Sequence, residues 1–407
     1  PTATFKTTPN NAGVGIFDFR QVVENYVSAD NMAGTQSSYK GTLTTDDTPH
    51  PIHLIDKYSK NKKTARWLTI QFKTQYTDAN GDVQIEQEVN SIDYELFNGY
   101  LKYSDILTMG TGATANNFGY DLSRFNLSAQ TDSFLSNAPA AQYANLEDYG
   151  TLAFLSPTNN LDYIRLQYKD SSGSQIGTED IEKKFANGGF GAASSSIFYR
   201  LFFFGCFPAN LQNWSSTFQA LVSAGTIQGG SIDIQAFDDS GNRISKQYTI
   251  NINCPNLKGY ESIRLCWLNQ WGAWDYYTFT QKSVRSISTK GSTYEQLAGT
   301  WNEAAYRVDS YKGGKKAFRV NATEKITMNS DFVSESENDM FEELINSPEV
   351  YILEGYQDDG TFSALNQYVK PVRLTTSSFT KKTVANDKLI QYTFEVEKSK
   401  TLRTQSI

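Results

Sequence analysis

The chain has 407 residues, with 44 acids against 37 Lys and Arg and a formal net charge of -7. At roughly 100–200 residues per domain, that length predicts two or three domains, with a core large enough to need neither disulfides nor metal. A pI near 5.1 argues against nucleic-acid binding, which requires concentrated Lys and Arg, while 24 Tyr and 25 Phe suit strands and contact surfaces better than helix bundles.

Residues 1–15 are rich in Thr, Asn and Gly and read as an extended N-terminal arm, with Phe5 as an anchor on a neighbouring subunit. Phe17 to Val27 fits a short helix or a strand. Ile70, Phe72, Thr74 and Tyr76 then alternate with polar residues, turn at Asp78-Ala-Asn-Gly-Asp82, and resume at Val83, Ile85, Gln87 and Val89. Period-two alternation is a strand signal, and Asn-Gly supplies the positive φ of a tight turn. Residues 107–148 mix Gly, Ala, Ser, Asn and Asp with Phe and Leu, and read as a long loop. The hairpin pattern returns at Ile164 to Tyr168 with a turn at Asp170-Ser-Ser-Gly173. It returns at Ile232 to Phe237, turning at Asp238-Asp-Ser-Gly241 and resuming at Tyr248 to Ile252. A looser copy runs Val350 to Leu353, Asp358-Asp-Gly360, then Val372 to Leu374. Asp caps such turns through its side chain and Gly takes the left-handed position. Ser334 to Ile345 is the best helix: a Ser cap, acids in the first turn, an apolar stripe of Met340, Phe341, Leu344 and Ile345, and Pro348 as a stop.

These elements predict an all-β protein: two or more antiparallel β-sandwich-like domains with one or two short helices. The arm is followed by a β-rich region over 16–255. Pro255-Asn-Leu-Lys-Gly259 reads as a linker, and 256–407 as a C-terminal sandwich. No basic, apolar leader opens the sequence, so no signal peptide is expected. The longest apolar run, Ile197 to Phe207, contains Arg200 and Gly205 and falls far short of the roughly 20 residues that span a bilayer. Glycosylation-type triplets at Asn126, Asn213 and Asn321 then read as chance.

Candidate chemistry is sparse. His50 and His53, the only histidines, lack the further ligands of a zinc site. Asp78-x-Asn80-x-Asp82 begins like a calcium loop, but Val83 stands where a Gly is required and Val89 where a bidentate Glu is required. Lys312-Gly-Gly-Lys-Lys316 lacks phosphate-loop spacing and reads as a charged hairpin turn. No G-x-S-x-G marks a nucleophile, and the acid pairs Asp46-Asp47 and Asp238-Asp239 lie in turns. Cys206, Cys254 and Cys266 read as small buried thiols, with a Cys254–Cys266 bridge left open. No catalytic residue, metal or cofactor is expected.

The densest segment is Arg264-Leu-Cys-Trp-Leu-Asn-Gln-Trp-Gly-Ala-Trp-Asp-Tyr-Tyr-Thr-Phe279. Ile263, Leu265 and Trp267 share a face, so Trp267 is expected in the core. Trp271 and Trp274 flank the turn, are expected to reach outward, and lead into Tyr276. Core packing, a protein interface and a sugar-stacking platform are the three readings, in that order. The same segment resembles a signature of tailed-bacteriophage virion proteins, R-L-x-W-L-N-x-x-G-x-[WF]-D-x-[FY]-x-F. Phe341 to Ile352 is similar to the helix, Ser-Pro corner and strand that follow in such proteins, and Ile390 to Val396 to their closing strand. The resemblance covers 260–398, with a weaker echo at Gly15 to Phe19. It implies a non-enzymatic structural component of a tail, baseplate or neck, present in the virion and assembled in the host cytoplasm. Its implied partners are copies of itself and other virion proteins, with no nucleic acid and no membrane. Phe5, Trp271, Trp274 and Tyr276 are the candidate contact residues. A carbohydrate- or receptor-binding module is the alternative, which adds a host surface glycan as a partner, and a glycan-cleaving enzyme is the third.

Overall fold

The computed structural model describes residues 3–27, 58–60, 65–100, 134–155, 161–182, 201–253, 259–300, 303–308, 311–354, 369–384, 389–400 and 402. His50, His53, Cys254, the Asp358–Gly360 turn and the first part of the 107–148 stretch lie outside them. The protein is all-β, built from several sheets with few short helices. It divides into two compact units. The first is Pro1–Pro255 with Cys266–Tyr276 and Gly355–Tyr368, and the second comprises Asn256–Leu265, Tyr277–Glu354 and Val369–Ile407.

The strands of the first unit are β1 (Tyr58–Lys60), β2 (Ala65–Phe72), β3 (Gln75–Thr77), β4 (Val83–Ile85), β5 (Val89–Phe97), β6 (Ala141–Ala144), β7 (Leu152–Leu155), β8 (Tyr163–Lys169), β9 (Gln175–Glu182), β10 (Leu201–Phe204), β11 (Ser231–Phe237) and β12 (Tyr248–Ile252). Five of them form a sheet in the order β6-β12-β11-β8-β9. Its register places Ile164, Leu166 and Tyr168 opposite Ala236, Ile234 and Ile232, and Ile232 and Ile234 opposite Ile250 and Tyr248. All of these side chains are buried, so the alternation read from the sequence is the core face of this sheet. A three-stranded sheet, β1-β10-β7, faces the same core. The Phe134 ring bridges the two sheets, 4.8 Å from Phe154 of β7 and 5.3 Å from Tyr248 of β12.

Two expectations change here. β6 falls inside the stretch read as loop and pairs parallel with β12. Ala141-Gln-Tyr-Ala144 is an edge strand of small and polar residues with Tyr143 exposed, so it lacks the periodic signal. Helices are also more numerous than expected. α1 (Arg20–Val23) is a single turn. α2 (Pro208–Trp214) starts on a proline, whose fixed φ suits a first turn. α3 (Ser216–Ser223) is capped by Ser215, whose Oγ accepts from the Phe218 amide at 2.9 Å. Ser215 is fully buried and its hydroxyl also bonds the Glu179 carboxylate of β9, which pins the helix to the sheet. α3 approaches closely at Gly177, where a Cβ would stand 3.1 Å from Tyr168 and 3.4 Å from Leu221.

The remaining strands are β13 (Ile263–Leu268), β14 (Trp274–Phe279), β15 (Val284–Gln296), β16 (Gly314–Asn329), β17 (Val350–Leu353), β18 (Val369–Leu374) and β19 (Thr393–Lys398), in the sheet order β14-β13-β17-β18-β19-β16-β15. β15 to β19 belong to the second unit, whereas the 266–268 part of β13 and the 274–276 part of β14 belong to the first. α4 (Asn338–Asn346) follows a 3₁₀ turn at Glu335–Glu337, and Ser334 with Glu337 completes a capping box, as the sequence predicts. Met340, Phe341 and Leu344 are buried. Phe341 is the hub of an aromatic cluster, 4.9 Å from Tyr277 and 5.4 Å from both Tyr392 and Phe394. Lys381 bridges Asp339 and Glu342 at 2.7 and 2.6 Å, and these bonds raise its pKa to about 12.

One turn geometry recurs five times, at Asn10, Asp78, Asp170, Asp238 and Asn269. In each, the side-chain Oδ1 accepts from the amides two and four residues on. The backbone of the same residue bonds the residue four on, and a glycine at the fourth position has φ between 76° and 87°. Asp78 is thereby committed to Asn80, Asp82 and Gln84, which accounts for the calcium-like spacing as a turn.

The three aspartates sit below the ordinary carboxylate range. The first cause is the side-chain donor in each case (Gln84 for Asp78, Ser172 for Asp170, Asn242 for Asp238), and backbone amides add to it. A depressed folded-state value makes this stabilisation complete above the unfolded Asp value of about 3.9 and lost as pH falls through the folded value. Carboxyl NMR titrations should place all three below about 3.9. Asp170→Asn should keep the turn, because Asn serves at positions 10 and 269, while removing that hairpin's acid sensitivity. A titration at the ordinary value would sink this account. Ser215→Ala should cost about 1–2 kcal/mol in urea unfolding.

Candidate functional site

The Trp-rich hairpin lies inside the molecule. Trp267 is fully buried, as expected, but Trp271 and Trp274 are only 6% and 3% exposed and Tyr276 is buried as well. The outward orientation expected of Trp271 and Trp274 is therefore corrected, and the reason is local. Asn98, Gly99 and Tyr100, at the end of β5, lie directly on the turn. The Tyr100 amide donates to the Gln270 carbonyl at 2.8 Å. A Cβ on Gly272, whose φ is +76°, would fall 2.0 Å from the Asn98 carbonyl oxygen, and one on Gly99 would fall 2.3 Å from that of Gln270. Two glycines facing each other thus let two backbones touch.

Polar bonds close the rest of the hairpin tip. Asn269 organises the turn and donates to the Leu135 carbonyl at 2.8 Å. Buried Asp275 accepts from the Ser136 hydroxyl. The Tyr276 hydroxyl meets Thr151 Oγ1 at 3.1 Å, and its ring lies 5.6 Å from Phe207. Every aromatic face of the turn is spent on the protein's own core. Elsewhere, burial pushes the Cys206 thiol far up, which keeps it protonated and unreactive at neutral pH. No cluster of three metal-ligating side chains occurs among the described residues.

The N-terminal segment reverses at the Asn10 turn, and Phe5 meets Phe19 edge to face at 5.4 Å, while Phe17 stacks on Phe19 at 5.9 Å. Phe5 stays 40% exposed.

Two β-ribbons carry a large share of the exposed apolar side chains among the described residues. In the first unit, β2 pairs with β5 and β3 with β4, which makes one long hairpin over 65–97 (the acidic arm). Phe72, Tyr76, Val83, Ile85 and Val89 are all exposed on it, Val83 by 60%. In the second unit, β15 and β16 pair over their whole length. Residues 314–324 of β16 pair with β15 alone apart from a bridge at Ala322–Leu402, a reach of about 35 Å. Ile287, Phe318 and Val320 are exposed on this basic ribbon. Beyond the strands, Thr300 Oγ1 accepts from the Arg307 amide at 2.8 Å and fixes the connecting loop, which presents Tyr306, Val308 and Tyr311 to solvent, Tyr311 at 71% exposure. Lys312–Lys316, read as a charged turn, is the entry to β16, with Gly313 and Gly314 both at positive φ. Sequence reasoning missed this ribbon because Ser, Thr and Lys dominate β15 and no apolar period announces it. The informative signal was β-branched content without a buried face.

No protein-family model matches the chain, and no curated protein matches it significantly.

If the hairpin is core, Trp267→Ala and Trp271→Ala should both destabilise the monomer, Trp267→Ala by about 3–5 kcal/mol. Gly272→Ala should also lower the melting temperature sharply, since the left-handed residue costs about 1–2 kcal/mol before any clash. Wild-type-like melting of Gly272→Ala would refute the glycine contact.

Proposed function

We propose that this chain is a structural component of a bacteriophage virion, a part of a tail, baseplate or neck ring held by protein–protein contacts. The observation that carries the reading is the pair of β-ribbons, each presenting several large apolar side chains to solvent. Contiguous exposed apolar surface on a folded chain marks an interaction site, and long strand edges are templates for pairing. The resemblance of residues 260–398 to tailed-phage virion proteins supplies the setting. Burial of Trp271 and Trp274 leaves that hairpin no open aromatic face for a sugar, so the glycan-binding alternative has no support there.

The test is to raise antibodies against the purified chain and label phage particles for negative-stain electron microscopy. Label at one fixed position along the tail or neck is expected. Particles that contain no copy by label or by mass spectrometry would refute the assignment.

A further inference from the structure

The two ribbons carry opposite charge. Residues 65–97 hold six acids against Arg66 and Lys73, a net of -4. Residues 284–329 hold eight Lys and Arg against four acids, a net of +4, in a chain whose total is -7. The basic charge is also oriented. Lys290 stands opposite Asn321, Ser292 opposite Arg319, and Tyr294 opposite Lys316. Residues opposite one another in a ladder share a face, so Lys290, Arg319 and Lys316 line one side of the ribbon. Nearby, Lys312 pairs with Glu303 at 3.8 Å, and Lys316 gives its ammonium to the Tyr311 carbonyl. On the acidic arm, Asp82, Glu86 and Glu88 are exposed at the hairpin end. In sequence they border the exposed Val83 and Ile85, which occupy the other face of β4 from Gln84.

We propose that the basic ribbon of one copy docks on the acidic arm of a second copy through their opposite charges. The proposal rests on the structural-protein reading and names its partner and polarity. Two different surfaces on one chain make a head-to-tail contact, and such contacts close into rings or propagate as filaments. Charge complementarity sets the pairing and makes it sensitive to salt.

The test uses the full chain and two charge reversals. One variant carries Asp82→Lys, Glu86→Lys and Glu88→Lys, and the other carries Lys290→Glu, Lys316→Glu and Arg319→Glu. Sedimentation velocity at low and high salt reads self-association, and thermal melts verify folding. If a reversal variant melts early, the matching neutral set (Gln for each residue) takes its place, with a smaller expected loss. The wild type should associate at low salt and dissociate as salt rises. Each variant alone should associate on the order of tenfold or more weakly. An equimolar mixture of the two variants should recover association, because the reversed arm then meets the reversed ribbon. Three results would overturn the proposal: association of the wild type that neither variant alters, a mixture that does not recover, or a wild type that stays monomeric at on the order of 100 μM, a concentration that still detects weak contacts. In each case the virion assignment is untouched, since particle labelling tests it separately. A ribbon variant that loses only binding to a random-sequence oligonucleotide, with self-association intact, would assign the basic face to nucleic acid instead.

Discussion

A side-chain oxygen that replaces a backbone partner sets the geometry of this protein. At each of five turns an Asp or Asn carboxyl or amide oxygen takes two amide protons that the reversal would leave unpaired. The glycine that follows accepts the positive φ. With the turn closed, the strands leaving it have one register, and the register decides which side chains meet. At Asp170 this pairs β8 with β9, setting Ile164 opposite Ile181 and Tyr168 opposite Gly177. At Asn269 it sets the Trp-rich loop against the end of β5.

Identical turn chemistry yields opposite environments. The Asp170 and Asp238 turns join strands whose inner face is covered by a second sheet and by the Phe134 ring. The Asp78 turn joins β3 and β4, on which Tyr76, Val83 and Ile85 stay in water. Nothing local distinguishes these hairpins, since all three alternate and all three turn on Asp and Gly. The difference is supplied by whatever packs across each sheet, and that is a matter of chain topology.

The same logic governs the Trp-rich turn. Three tryptophans at a turn suggest an outward-facing contact, yet the mutual approach of Gly99 and Gly272 closes the backbone over them and leaves their faces in the core. The surface proposed for association is instead on the two ribbons, with their exposed Tyr, Phe, Val and Ile. Their charge asymmetry, acidic on one ribbon and basic on the other, gives the proposed association its direction.

The sequence alone determined the hairpin turns, the all-β class, the burial of Trp267 and the capped helix after Ser334, because each follows from interactions within a few residues: a side-chain cap, a glycine φ, a period of two or of 3.6. It did not reveal the parallel β6, whose four residues carry no pattern, or α2 and α3, where Pro208 and Ser215 were start signals overshadowed by the apolar run before them. Only the tertiary structure decided that Trp271 and Trp274 point inward and that the 314–324 part of β16 pairs with β15 with a single further bridge. Burial is a relation between segments distant in the chain, here residues 98–100 with 269–272, and no local spacing encodes that meeting.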